Sequence, residues 1–532
     1  MSGESLHLPL KPMTRPTQPE FVDFYLPFGG KLDSENRWVK LAGFIPWDLV
    51  EKCYSGALAE TGMGAPALPG RIAFGALVIK ERLGITDEET VSQIQENPYL
   101  QHFLGFREML KEAPFDPSMM VHFRSRFGQD DYDRINSRIV RMTDSKPEVE
   151  AEVEAEVEAE VEAEVEAEVE AEVEVESVVE PKPDTAPEIE IPRNSGKLLI
   201  DATATPADIT YPTDLKLLNA AREKSERIID ILHQPLVGKR KKPRSYRQKA
   251  RKDYLAATKL RRAGAKRIRK AIGKQLRYLR RNLGHMEDLV RAGSKLSLLS
   301  AYNYQCLLVI HEIHRQQLEM WTEKRHSIED RIVSLSQPWV RPIVRGKASA
   351  KTEFGAKISI GVDAGYTSLH RMSWDAYNEC ADLRAQAETY RRSCGHYPES
   401  IHADKIYRTR ANRAWCKETG IRLSGPPLGR PPKETELNAA ELAASRRQTR
   451  NDEIDRNAVE GKFGNLKRKG TLARVMAKLR CTSVTVVNIA IIALNLDTRL
   501  RELLLCLQIW LQQQLEYLPR HWKPSHEPPV AT

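Results

Sequence analysis

The sequence predicts a mixed α and α/β protein: an all-helical N-terminal domain, then an α/β domain interrupted by a basic helical insertion. Three observations lead there. Helical periodicity runs from about residue 21 to 143. Beyond residue 338 short apolar strands alternate with helices, the mark of an α/β layer. Between Gly238 and Asn282 stand 20 Lys/Arg residues against one acid, Asp253. The chain has 532 residues, with 41 % hydrophobic and 29 % charged, enough for about three to four packed domains.

Taken in order, residues 1–20 are Pro-rich and polar and form a flexible N-terminus. The helical domain spans 21–146. There Ile72, Leu77, Val78 and Ile79 lie in one apolar run, and Thr86 with Glu89 makes a capping box that opens a new helix. Two helices joined at Gly84 suit either a helix-turn-helix or a plain helical hairpin, and Asp87, Glu88 and Glu89 would repel phosphates. HFRSRFG (122–128) has a better charge sign for a DNA backbone, or is simply a solvated face. Residues 147–192 are an acidic low-complexity linker, EVEAEVEA…, carrying 19 acids and one Lys. Glu beside Glu is unfavourable in a helix, so high charge and low hydrophobicity predict an extended linker, reaching about 150 Å at full stretch. It reads as a DNA-mimicking competitor for a basic surface or as a tolerated spacer.

KLLIDATATPADITYPTD (197–214) contains a short strand ending at Asp201. Residues 215–335 form the basic insertion, with Tyr246, Tyr254 and Tyr278 interleaved for packing or for stacking on bases. Strands are predicted at 339–344 and 356–362, a turn at Asp363-Ala364-Gly365, and a helix over 375–393. A strand over 398–404 ends at Asp404, a helix over 405–420 is closed by Gly420, and a long helix starts near 434. VTVVNIAIIALNL (484–496) is shorter than the roughly 20 residues needed to span a bilayer and reads as a buried helix. The α/β domain is thus assembled from 193–214 and 336–500, and 501–532 is a C-terminal helix and tail.

The net charge of +9 conceals a division. The acidic linker carries −18 and the remainder +27, a balance suited to a polyanion, nucleic acid first. Seven scattered cysteines without CxxC spacing read as reduced cytosolic thiols. The N-terminus lacks the apolar run of a signal peptide. These features exclude a collagenous, disulfide-framework or membrane-embedded protein. GMGAPA (62–67) fits a dinucleotide loop only superficially, because Pro66 intrudes and no strand precedes it. There is no P-loop and no GxSxG, and IHEIH (310–314) lacks a third ligand for zinc.

Asp201 and Asp404 at strand ends would point into one crevice, where open α/β sheets bind ligands. In RNAVEGKFGNLKRKG (456–470), Arg456, Glu460 and Lys467 fall on one helical stripe with Phe463 beside them. Three carboxylates suit Mg²⁺, and two ions about 3.5–4 Å apart would serve phosphoryl transfer. The plainer readings are turn or cap aspartates and an Arg–Glu pair on a wet helix.

LLIDATATPADITYPTDLKLLNAAR, FGAKISIGVDAGYTSLHRMSWDAYNE, ADKIYRTRANRAWCKETGIRLSGPPLGRPPK and RNAVEGKFGNLKRKGTLARVMAKL together resemble bacterial insertion-sequence transposases of the DDE class. The group it resembles is the family-five type, with a helical N-terminal domain like 21–128. The resemblance implies a ribonuclease-H-like core and Asp201, Asp404 and Glu460 as catalytic, metal-binding residues for Mg²⁺ or Mn²⁺. Arg456, Glu460 and Lys467 match an Arg-x3-Glu-x6-Lys signature, whereas the tyrosine expected three residues before the Arg is Glu453. It implies nicking at the ends of a mobile element and attack of the freed 3′-hydroxyl on target DNA, by a homodimer on paired ends in the cytoplasm, on the nucleoid when bound to DNA. Neither a membrane nor a nucleotide cofactor is expected.

Phosphate contacts are expected from Lys405, Arg408, Arg410, Arg456 and Lys467, and in the insertion from Lys239, Arg240, Lys241, Lys242, Arg261, Arg262, Arg280 and Arg281. Trp415 or Trp374 would either stack on an unpaired base or pack in the core, and His402 would assist a metal or pack. A metal-dependent nuclease and a non-catalytic DNA-binding derivative are the alternative functions.

Overall fold

The computed structural model describes residues 30–58, 67–141, 193–259, 264–344, 352–426, 428–429, 435 and 439–517. The N-terminal segment 1–20, the acidic tract 147–192, Arg261, Arg262 and the tail beyond 517 lie outside them.

The N-terminal part is helical: α1 (Arg37–Phe44), α2 (Trp47–Gly56), α3 (Gly70–Leu83), α4 (Asp87–Glu96), α5 (Pro98–Phe103), α6 (Met119–Arg126) and α7 (Gln129–Arg141). Helix α3 ends because Gly84 takes φ 66°, a left-handed cap whose N–H donates to Lys80 O. Helix α4 begins as its capping residue requires, with Thr86 Oγ1 accepting from Glu89 N at 3.2 Å. The charges that followed do not stay on a wet face. Asp87 pairs with Lys80 at 2.9 Å and with Arg124, and Arg126 donates to the Tyr54 hydroxyl. These pairs bind α3, α4 and α6 into one body around Trp38, Trp47, Phe74, Phe103 and Tyr132, all buried.

The second part is built on a sheet of β1 (Lys197–Pro206), β2 (Arg341–Val344), β3 (Thr352–Asp363), β4 (Tyr366–Ser373), β5 (Ser400–Ala403) and β6 (Arg422–Leu423), in the order β2-β3-β1-β5-β6. Strand β4 pairs antiparallel with the second half of β3, joined by the turn at Ala364 (φ 45°) and Gly365 (φ 80°). Strand β1 runs antiparallel to β3 and parallel to β5, and β5 parallel to β6. The expected helix over 375–393 is shorter, α12 (Asp382–Cys394), and β4, which the sequence reading did not assign, precedes it.

The insertion lies between β1 and β2: α8 (Asp214–His233), α9 (Arg247–Thr258), α10 (Ala265–Arg291) and α11 (Ala301–Glu323). Its own core joins Leu218, Ile229, Leu279, Met286 and Ile310. After β5 come α13 (Arg410–Glu418), β6, α14 (Ala439–Arg468) and α15 (Arg480–Tyr517). One sheet face carries Ile358, Ile360 and Val362 against Val459, Phe463 and Leu466 of α14 and Val487, Ile491 and Leu494 of α15. The opposite face packs Leu198, Ile200, Ile401 and Ala403 on Leu383 and Ala387 of α12.

Helix α15 joins the two halves. Its Ile489, Ile492, Leu496 and Leu500 belong to the core of the helical domain, while Val487, Ile491 and Leu494 belong to the sheet. Burying each such side chain contributes about 1.5–3 kcal/mol. Polar contacts fix the register: Arg82 pairs with Asp497 at 2.5 Å, Asn136 Nδ2 donates to Thr367 O at 3.1 Å, and Thr485 Oγ1 donates to Arg124 O at 2.6 Å. By length and composition the segment Arg480–Gln513 could cross a membrane, yet 72 % of its most apolar window is buried within the fold.

Candidate active site

Strand β5 is short, and its register against β1 ends with Ile200 opposite Ala403. The next residue on each parallel strand is an aspartate, Asp201 and Asp404, so the two stand side by side where β5 stops. The sequence predicts a strand ending at Asp201, but Asp201 lies in mid-strand. Strand β1 continues to Pro206 because its antiparallel partner β3 continues, pairing Asp201 with Ile360 and Pro206 with Gly355. The crevice is made by the end of β5, not of β1.

Asp404 caps the 3-10 turn Lys405–Tyr407, its Oδ1 accepting from Lys405 N at 2.6 Å. It is exposed, whereas Asp201 is half-buried. Burial pushes the Asp201 carboxyl up to about 6, the charges of Glu379 and Asp404 add to this, and Ala202 N–H and Arg456 oppose it. The two strand aspartates therefore sense each other, and Arg456 of α14 senses Asp201.

Helix α14 crosses this end of the sheet. Lys467 Nζ donates to Thr203 Oγ1 on β1 at 2.9 Å. One helical turn earlier Phe463 is buried on the sheet, and Arg456 lies 3.7 Å from Glu460 and 4.0 Å from Glu453. The Glu460 side chain is 61 % exposed. Among the described residues, no three His, Cys, Asp or Glu side chains converge closely enough to hold a metal as they stand. The donor chemistry nevertheless suits a hard dication. The ligands available are carboxylates, and crowded acids at Asp201 are only partly balanced by Arg456.

The cationic residues divide by what they touch. Lys405 and Arg410 are exposed beside Asp404. Arg408 turns back, donating to Ala403 O at 3.1 Å, and packs on Gly425 (φ 101°), where any side chain would run into its guanidinium. Lys239, Arg240, Lys241 and Lys242 form an exposed run, with Lys242 2.7 Å from Asp230 and Arg240 donating to Asp288 O at 3.2 Å. Arg280 is exposed. Arg281 lies over the rings of Tyr246 and Tyr278, at 4.6 and 5.5 Å. Tyr278 is buried and donates to Asp253 at 2.9 Å, a packing role.

Trp374 is buried beneath Arg480, and Trp415 packs edge-on against Tyr397. His402 is buried on the α14 side, 2.9 Å from Ser400 Oγ and 3.7 Å from Asp452.

One acid at this end of the sheet was absent from the sequence-based set. Glu379 lies on the 3-10 turn Glu379–Ala381, inside WDAYNE (374–379), which reads from sequence only as a helix start.

Two separate regions match known families. Residues 401–497 match the family described as Transposase DDE domain. Residues 27–126 match Transposase domain (DUF772). Both matches are to transposase domains. The DDE match takes in β5, Asp404, α14 with Glu460, and the part of α15 packed on the sheet, whereas Asp201 lies N-terminal to it. The DUF772 match takes in α1 to α6. A similar protein is an uncharacterized protein of Rhizobium meliloti, ORF8 in the nfe locus, 39 % identical over 90 residues. That match covers 17 % of this chain and 42 % of the relative's length. No solved structure matches. A transposase DDE domain belongs, in general, to a DNA-processing enzyme.

Proposed function

We propose that this protein is a DDE transposase that binds the ends of an insertion sequence and catalyses DNA cleavage and strand transfer by in-line phosphoryl transfer. The observation that carries this reading is the register that sets Asp201 beside Asp404, on the sheet face crossed by the helix bearing Arg456 and Glu460. The strand order, with three antiparallel strands followed by two parallel ones, supports a ribonuclease-H-like core interrupted by the insertion between β1 and β2.

In this reading Asp201, Asp404 and Glu460 hold Mg²⁺ or Mn²⁺, two ions in all. When bound, the metal makes a water or 3′-hydroxyl more acidic and balances charge on the phosphoryl oxygens. Glu460, exposed on α14, would supply the third carboxylate, and Arg456 would face a phosphate. Lys467 braces α14 on β1, and Arg408 braces the end of β5. Lys405 and Arg410 lie where a strand entering past Asp404 would present phosphates, and the exposed cations of the insertion extend that track. The partner is double-stranded DNA, the working form a homodimer on paired ends, and the location the cytoplasm.

The test is Mg²⁺-dependent cleavage and joining of the element's end DNA by wild type, Asp201→Asn, Asp404→Asn and Glu460→Gln. Loss of both reactions in all three variants with DNA binding kept is the expected result. Cleavage without joining would mark a nuclease, binding alone a non-catalytic derivative, and cleavage by the variants a different metal site.

A further inference from the structure

Glu81 stands in the last turn of α3, in the helical domain, yet it is only 5 % exposed. Its two carboxylate oxygens are both used on one residue of the other half, 390 positions away in the chain. Oε1 accepts from Thr471 N at 2.8 Å and Oε2 from Thr471 Oγ1 at 2.7 Å. Thr471 opens the 3-10 turn Thr471–Ala473, which follows directly on α14. The approach is close. A Cβ on Gly470 would stand 2.7 Å from Leu466 O and 3.0 Å from Glu81 Oε1, so glycine lets the chain pass between α14 and the carboxylate. Pulling Thr471 away would leave a buried acid without its donors, which is costly.

The segment held in this way is a junction. Beyond the turn, Val475 N donates to Pro206 O at 2.8 Å and Asp208 N to Val475 O at 2.9 Å, a parallel bridge at the far end of β1. Arg474 and Lys478 both pair with Asp208. Leu472 and Val475 are buried in the core that the sheet shares with α14 and α15. Gln337, where the chain returns from the insertion, donates through Nε2 to Asp208 O at 3.4 Å. Residues 471–478 thus meet the end of α14, the end of β1 and the base of the insertion. The other polar contacts of the helical domain described above end on α15 or β4: Arg82 on Asp497, Arg124 O on Thr485, and Asn136 on Thr367. Glu81 ends on the junction.

We propose that Glu81 is a positioning residue for the chemistry at the sheet. By holding Thr471 it fixes the end of α14 and the far end of β1 to the helical domain, so that the helical domain and the strand bearing Asp201 keep one relative placement. The inference rests on the reading of this protein as a transposase. Glu81 acts through Thr471 and touches neither DNA nor the reacting atoms.

The experiment uses the full chain and has two arms. The first is hydrogen exchange without DNA in wild type, Glu81→Ala, Glu81→Gln and Arg82→Met, the last breaking a contact that ends on α15. Glu81→Ala is expected to speed exchange about tenfold over 465–478 and 206–208, and Arg82→Met to leave those residues as in wild type. The second arm is single-turnover, Mg²⁺-dependent cleavage of end DNA, measured below the unfolding transition of each variant. Glu81→Ala is expected to cleave about tenfold more slowly with unchanged affinity for end DNA. Glu81→Gln, which keeps one acceptor oxygen for Thr471, is expected to be about threefold slower. Arg82→Met is expected to lower the thermal midpoint and keep the wild-type rate. Wild-type exchange or wild-type cleavage in folded Glu81→Ala and Glu81→Gln overturns the proposal, and so does equal slowing in Arg82→Met. No cleavage by wild type, or cleavage by Asp201→Asn, overturns the transposase reading instead, and the exchange arm still decides whether Glu81 holds the junction.

Discussion

Lys467 Nζ donates to Thr203 Oγ1 at 2.9 Å, joining the end of α14 to β1 two residues beyond Asp201. Residues 203 and 201 share a strand face, so this bond sets the distance between the helix that carries Arg456 and Glu460 and the strand that carries Asp201. Thr203→Val keeps the shape and removes the acceptor. It is expected to cost about 1–2 kcal/mol, as for a hydrogen bond to a charged donor, and to slow cleavage. A double-mutant cycle with Lys467→Met should return a coupling of about 1 kcal/mol. Strict additivity would show that the two side chains act independently.

The ion-pair knot of the helical domain makes stability depend on acid. Burial works to raise the Asp87 carboxyl, but hydrogen bonds and charges of Arg124 and Lys80 outweigh it and hold it below its usual 3.8. Because the folded value lies below the unfolded one, the stabilisation is complete above the unfolded value and is lost as pH falls through the folded one. Asp87→Asn is expected to lower the thermal midpoint at pH 7 by an amount that shrinks toward zero near pH 2–3. A constant gap across that range would remove Asp87 from the account.

Neighbouring arginines of the insertion should behave differently. Arg280 is exposed, and Arg281 is packed against Tyr246 and Tyr278. Arg280→Ala is expected to leave stability unchanged and to reduce the salt slope of DNA binding by about 1, one phosphate contact. Arg281→Ala should cost about 1–2 kcal/mol of stability through two lost cation–π contacts. Identical behaviour of the two variants in both measurements would refute this division.

The acidic tract supplies −18 of charge beside a +27 remainder, and a tract of that sign would compete with DNA for a basic surface. Deleting 148–180 is expected to tighten non-specific DNA binding at low salt, with the difference fading as ionic strength shortens the Debye length from about 10 Å at 0.1 M to 3 Å at 1 M. Equal affinity at low salt would make the tract a spacer.

Features set by a few consecutive residues were legible in the sequence. Thr86 with Glu89 announces the start of α4, Gly84 the end of α3, and the apolar run 484–496 a buried helix, because capping and hydrophobic periodicity are local. The pairing of Asp201 with Asp404 was legible in outline, since each follows a short apolar run. Strand β4 was not: Ser368, His370 and Arg371 give it little apolar alternation, and it exists through its ladder with β3. Asp201 as a mid-strand residue depends on the length of β3, which lies more than 150 residues away in the chain. The turns Glu379–Ala381 and Lys405–Tyr407 are far apart in sequence with no telling spacing, and Asn412 joins them by donating to Cys380 O and Tyr407 O. Sequence by itself determined where most helices lie, which acids follow apolar runs and where the charge lies. Tertiary structure decided which acids meet and which cations remain at the surface, because hydrogen-bonded register and burial are properties of pairs of segments, not of either one alone.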